Sequence, residues 1–161
     1  MPNHIFINKK IESFKKKIRV SSDKSISIRS VLLASQAVGI SKISNLLESE
    51  DVINALKTIK KLGINYTKKR GIYHIEGFGL NGFNIKKKIN INAGNSGTLA
   101  RLILGLLVKS KHKVTLIGDK SLSKRDFSRV IKPLRLFGVN IKSKNNKLPI
   151  ELLGSDFLRP V

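Results

Sequence analysis

Leu62-Gly63-Ile64-Asn65 and Phe137-Gly138-Val139-Asn140 are one signal written twice: a bulky apolar residue, a glycine, a β-branched residue and an asparagine. A glycine just past an amphipathic run stops a helix, because it takes up a left-handed backbone at no steric cost. Upstream of the first stop, Ser49 opens a run in which Val52, Ile53, Leu56, Ile59 and Leu62 recur at helical spacing. Upstream of the second, Ser123 with Asp126 three residues on reads as a capping box. It precedes Phe127, Val130, Ile131, Leu134 and Phe137. Further out lie a helix over residues 25–38, capped by Ser22 or Asp23 with an apolar side of Val31, Leu32, Leu33 and Ala37, and a helix from Asn95 to about residue 108. Strands are expected at 42–46 and 113–117, and as pairs at 64–67 with 72–75 and at 139–141 with 150–153. Arg29 maps onto Arg101, Ile43 onto Val114 and Gly63 onto Gly138. Helix, strand, loop, helix, strand, strand therefore occurs twice, which predicts an α/β protein of repeated units.

Composition narrows the chemistry. With no cysteine there is no thiolate metal site and no disulfide, and His4, His74 and His112 stand apart without ligand spacing, so no metal is expected. No apolar stretch approaches the ~18 residues of a membrane span, and residues 1–8 do not read as a signal peptide, so a cytoplasmic location without a membrane partner is expected. The formal net charge of +22 favours anionic partners of any kind, from nucleic acid to phosphorylated metabolites. Runs such as Lys15-Lys16-Lys17 and Lys86-Lys87-Lys88 read equally well as solvated faces.

Three stretches carry candidate chemistry. In Asp23-Lys24-Ser25-Ile26-Ser27-Ile28-Arg29, the free N–H groups of a helix start combine with a mobile ammonium and a hydroxyl. Arg29 reaches the same side from one turn on, with a guanidinium suited to carboxylate or phosphate. In Gly94-Asn95-Ser96-Gly97-Thr98-Leu99-Ala100-Arg101, glycines let a ligand approach main-chain N–H groups. Arg101 is expected to brace this loop through hydrogen bonds to carbonyls. The Gly-Lys-Ser/Thr ending of a nucleotide-hydrolysing loop is absent. In Gly118-Asp119-Lys120-Ser121-Leu122-Ser123-Lys124-Arg125-Asp126, Arg125 is expected in the first turn of a helix, where only an anion would make a cation welcome.

In this order and spacing the three stretches resemble the EPSP synthase (3-phosphoshikimate 1-carboxyvinyltransferase) family. Lys24 to Arg29 is similar to its Lys-Ser-x-Ser-x-Arg segment, Gly94 to Arg101 to its Gly-Asn-Ser/Ala-Gly-Thr-x-x-Arg loop, and Gly118 to Arg125 to its Gly-Asp-x-Ser-Leu-x-x-Arg segment. Asn45 to Asp51 is similar to its Asn-Leu-Leu-x-Ser-x-Asp stretch. The resemblance implies the enolpyruvyl transferase fold, built from βαβαββ units, three to a domain, with the active site between two domains. It also implies transfer of the carboxyvinyl group of phosphoenolpyruvate to the 5-hydroxyl of shikimate 3-phosphate, a step of aromatic amino-acid biosynthesis, with no cofactor and a monomeric complete enzyme. Carried over by motif, Lys24 is the catalytic residue, Lys24, Ser25 and Arg29 take shikimate 3-phosphate, and Lys24, Gly97 and Arg125 take phosphoenolpyruvate.

The resemblance sets further expectations. Residues 1–20 would be strand normally shared with a second domain, 21–90 the first unit and 91–161 the second, with the third unit and second domain absent and the chain inactive alone. Ile28 stands where the family carries His or Asn, which would remove a polar contact near substrate, and Asp126 stands in place of Pro, where it would draw on Arg125. The rivals are the related transferase acting on UDP-N-acetylglucosamine and a basic nucleic-acid-binding module. Seven Phe and two Tyr, not interleaved with the basic runs, argue against the stacking platform of the latter.

Overall fold

Asp23 starts the first helix by accepting the Ile26 N–H at 2.6 Å, which satisfies one of the donors a helix start leaves open. The computed structural model describes Lys15, residues 20–80 and residues 82–160. The strand expected within residues 1–20 falls, Lys15 and Val20 apart, outside the described residues. The order of elements is α1 (Lys24–Gln36), β1 (Val38–Ile43), α2 (Glu50–Lys61), β2 (Asn65–Lys69), β3 (Ile72–Phe78), β4 (Ile89–Asn92), α3 (Gly97–Leu106), β5 (Val114–Ile117), α4 (Ser128–Leu136), β6 (Asn140–Ser143) and β7 (Ile150–Leu153).

The two glycine stops work by one geometry. Gly63 N–H donates to Lys60 O and Ile64 N–H to Ile59 O, while Gly138 N–H donates to Arg135 O and Val139 N–H to Leu134 O. Both glycines have positive φ, +90° and +95°. This is the same helix-ending motif twice, including the apolar residue that follows the glycine. The sheets repeat as well. One has the order β1-β3-β2 and the other β4-β5-β7-β6, so β5-β7-β6 reproduces the first sheet and β4 joins β5 in parallel. The other pairings are antiparallel. Helices α1, α2 and α3 pack against one another, and α1 lies on β3. Ile28, Val31, Leu56, Ile59, Ile75, Ile91, Leu99, Ile103 and Ile150 belong to one hydrophobic cluster that runs through both units.

Several expectations shift. The strand expected at 42–46 begins at Val38, directly behind α1, and pairs along its length with β3 from Val38↔Phe78 to Ile43↔Tyr73. Its Val38 and Ile40 are exposed, so no burial pattern marked it. For the same reason Gly39 lies inside the strand, and the cap of α1 is Ala37. On α1, Leu33 is 69% exposed while Ile28 is fully buried, which turns the apolar side by part of a turn. Ile28 therefore packs in the core. Ser49 does precede α2, but its hydroxyl makes no cap hydrogen bond. β4 was not expected, being four residues of alternating Ile and Asn beside a lysine run.

Each unit also brings backbone at or beyond the end of a core helix against a glycine at or just past its last strand. A Cβ on Gly77 would fall on the carbonyl oxygens of Ala34 and Ala37 at the end of α1. A Cβ on Gly154 would lie 2.6 Å from Val108 O, just past α3. Gly77→Ala should therefore cost about 3 kcal/mol through overpacking against backbone, lowering Tm by roughly 6–12 °C for a chain of this size. Gly105→Ala is the contrast, because its Cβ would meet nothing within 4 Å inside α3. It should stabilise by roughly 0.5–1 kcal/mol through helix propensity, and equal losses from both would contradict this account of the packing.

Candidate active site at three converging helix starts

Lys24 is the first residue of α1, and its Nζ lies 2.9 Å from Asp51 Oδ2 in the first turn of α2. The lysine side chain is 52% exposed and the aspartate 15%, so the ammonium is held at its inner side and open on the other. Ser25 follows, half-buried, and Arg29 is exposed one turn later. Arg29, Leu32 and Leu33 of α1 share an open cleft of about 220 Å³ with Leu102 and Leu106 of α3. Arg29 thus lines the cleft between α1 and α3.

The start of α3 is built by a tight turn. Gly94 has φ +57°, and its N–H donates to Asn92 Oδ1 at 2.9 Å. Ser96, fully buried, caps the helix by accepting the Leu99 N–H at 3.3 Å. Gly94 also lies against the first turn of α2, where an added Cβ would strike the Asn54 amide and come 3.8 Å from Glu50 Oε1. The first turn of α2 therefore touches α1 through Asp51 and the α3 turn through Glu50 and Asn54.

Arg125 arrives differently from expectation. Leu122–Lys124 is a single 3-10 turn, Arg125 is extended at φ −74° and ψ 147°, and α4 begins only at Ser128. The Ser123 capping box does not form: the Ser123 hydroxyl donates to Gly118 O at 3.4 Å. Asp126 instead accepts the Ser128 N–H at 2.8 Å and its hydroxyl at 2.6 Å, so its carboxylate is spent on the start of α4 and not on Arg125. Freed from the helix, Arg125 reaches back to α3. Its Nη2 donates to Asn95 Oδ1 at 2.9 Å, and its Nη1 lies 2.9 Å from the point a Cβ on Gly97 would occupy.

Arg101 converges on the same point, its Nη1 being 3.6 Å from that Cβ position. It stacks over the buried Phe127 ring, at 5.6 Å from the centroid, and among the described residues makes none of the carbonyl hydrogen bonds expected of it. Two guanidinium groups thus flank Gly97 at the positive end of α3. Asn95 and Asp119 complete the arrangement and were not singled out as site residues. Asn95 Nδ2 donates to Asp119 Oδ2 at 2.7 Å, and the Leu122 N–H donates to Asp119 Oδ1 at 2.6 Å. Both residues sit inside the quoted motifs, but only the fold shows which neighbours they bind. The Leu122 N–H first, then the Asn95 amide, the Ser121 N–H and the Arg125 charge hold the Asp119 carboxyl below the usual aspartate range.

Among the described residues no cluster of His, Cys, Asp and Glu could hold a metal ion, and no helix is long and apolar enough to cross a membrane. The family model for EPSP synthase (3-phosphoshikimate 1-carboxyvinyltransferase) matches residues 8–159. The chain belongs to the EPSP synthase family. A 3-phosphoshikimate 1-carboxyvinyltransferase of Ruthia magnifica subsp. Calyptogena magnifica is 42% identical over 157 residues, covering 97% of this chain and 36% of that protein. One of Streptococcus pyogenes is 40% identical over 146 residues, covering 89% and 34%. The solved EPSP synthase from Acinetobacter baumannii superposes with a TM-score of 0.81 at 34% identity, covering 92% of this chain and 34% of that one. The repeated enolpyruvyl transferase fold is thereby shown, and the chain spans about a third of the length of these EPSP synthases.

A depressed carboxyl sets a pH window. The order that ionised Asp119 imposes is complete above the ordinary aspartate range near pH ~3.9, and is lost only as pH falls through the lowered value. In an acid titration followed by NMR, the Asn95 side-chain amide should move with a midpoint below ~3.9. A midpoint at or above it would contradict the contact.

Proposed function

We propose that this chain forms one wall of the site in which the carboxyvinyl group of phosphoenolpyruvate passes to the 5-hydroxyl of shikimate 3-phosphate. The observation that carries the reading is the convergence of Arg125 and Arg101 on Gly97, joined through the first turn of α2 to Lys24 on α1. Such a surface suits two small, dense anions held side by side. In this reading Ser25 and Arg29 take the phosphate ester of shikimate 3-phosphate, Gly97 and Arg125 take phosphoenolpyruvate, and Lys24 lies between and contacts both.

The residues present account for part of the chemistry. The 5-hydroxyl oxygen gives up its proton and bonds to C2 of phosphoenolpyruvate, while C3 of phosphoenolpyruvate gains a proton and the C2=C3 double bond becomes single. The resulting tetrahedral intermediate then loses C3–H and inorganic phosphate. Negative charge grows on the departing phosphate, and the Arg125 guanidinium beside Gly97, with the N–H groups at the start of α3, supports a role in stabilising it. Groups fixed before the reaction stabilise such charge without reorganising. Gly97 carries no Cβ, and this lets the Arg125 guanidinium lie against the start of α3. The proton-transferring groups belong to the rest of the protein, as do a third unit and a second domain beyond the units proposed at 21–90 and 91–161, with 1–20 shared between domains. The complete enzyme works as a cytoplasmic monomer, without cofactor, nucleic acid or membrane.

The 161-residue chain should accordingly show no turnover with the two substrates, and a protein extended to the full length of its relatives should show it. In the extended protein, Lys24→Met should lower kcat by about 10²–10³-fold, the scale of removing one transition-state contact. Turnover by the 161-residue chain, or enolpyruvyl transfer to UDP-N-acetylglucosamine in place of shikimate 3-phosphate, would refute the reading.

A further inference from the structure

The fold supplies Arg125 with a partner but leaves its guanidinium on the surface, at the end of an extended segment. An exposed arginine loses considerable rotamer freedom when it is fixed, so something must select one orientation. We propose that Asp119 is the positioning residue that fixes Arg125 at the start of α3, by setting which way the Asn95 side-chain amide faces. The inference rests on the reading of Arg125 as the phosphoenolpyruvate cation, which it deepens.

A guanidinium can only donate and an ionised carboxylate can only accept. Asn95 lies between them, with Oδ1 2.9 Å from Arg125 Nη2 and Nδ2 2.7 Å from Asp119 Oδ2. With Asp119 ionised, only one orientation of the amide satisfies both neighbours. Turned over, its NH2 would face the guanidinium and its oxygen the carboxylate, two mismatches at once. Asp119 is itself pinned: its Oδ1 accepts the Leu122 N–H at 2.6 Å, and its own N–H donates to Gly94 O at 2.9 Å. The last bond ties it to the turn that carries Asn95. The chain from Leu122 through Asp119 and Asn95 to Arg125 therefore alternates donor and acceptor without a break, and ends beside Gly97.

Asp119→Asn tests this without changing size. An amide at position 119 can present either its oxygen or its NH2 to Asn95, so the orientation of the Asn95 amide is no longer forced. Asp119→Ala removes the partner altogether. The first readout needs no ligand: rotation of the Arg125 guanidinium by 15N NMR in the 161-residue chain. It should be slow in the parent and about tenfold faster in Asp119→Ala, with Asp119→Asn between, as expected for loss of a charge-assisted hydrogen bond. Unchanged rotation in both variants, with the fold intact by the remaining amide signals, would overturn the proposal. The second readout is phosphoenolpyruvate affinity, which should fall about tenfold in Asp119→Asn, yet hardly change when the same substitution is made in Arg125→Ala, because the effect runs through that arginine. An equal loss in both backgrounds would also overturn it. A parent chain in which Arg125 rotates slowly but phosphoenolpyruvate does not bind would count against the proposed function while upholding the positioning role.

Discussion

Three helices begin at the same place, and that is the constraint around which the rest of the structure is arranged. Each helix start carries about half a positive elementary charge and several unpaired N–H groups, so bringing α1, α2 and α3 together there is unfavourable unless negative charge is supplied. The chain supplies some of it: Glu50 and Asp51 both lie in the first turn of α2, with Asp51 paired to Lys24 and Glu50 facing the Gly94 turn. The chain then adds cations to the same place, with Lys24, Arg29, Arg101 and Arg125 around the starts of α1 and α3. In the proposed reading, the substrate anions supply the remaining negative charge.

Rigidity at that end comes from the other. The C-terminal end of α1 sits against Gly77 near the end of β3, and the loop after α3 sits against Gly154 just past β7. The end of α1 therefore approaches its sheet closely, while the starts of both helices are carried on the common core. The helix-ending motif at Gly63 and Gly138 fixes the return of α2 and α4 into their strands in the same way in both units. Duplication of a unit thus places equivalent helix starts side by side, and the sequence differences between units decide what each start holds.

Much of this was legible in the sequence, for definable reasons. Glycines with a forced backbone are visible wherever they punctuate a periodic run, so the stops at Gly63 and Gly138 and the repeat itself could be read directly. The motifs point to Lys24, Ser25, Arg29, Gly97 and Arg125, and the fold brings Arg125 to Gly97 and has Arg29 share a cleft with α3. What escaped depends on contacts distant along the chain. β1 carries exposed Val38 and Ile40, which give no burial signal, and β4 is recognisable only from its pairing with β5. Arg125 was assigned to a helix because Ser123 and Asp126 have capping-box spacing, yet Asp126 finds a nearer partner in Ser128. Short-range hydrogen bonds of this kind compete with the helix and win at its edge. Asn95 and Asp119 have meaning only as a pair, and no spacing rule joins them.

The central claim is that the starts of α1 and α3 form one anion-binding surface, and backbone amide NMR of the chain titrated with phosphoenolpyruvate tests it most directly. The account predicts that the amide signals of Ser25, Gly97 and Thr98, with the Arg125 side chain, move together and saturate at one affinity, while Lys86 to Lys88 stay still. Movement spread over the lysine runs, with Gly97 and Arg125 unaffected, would contradict it.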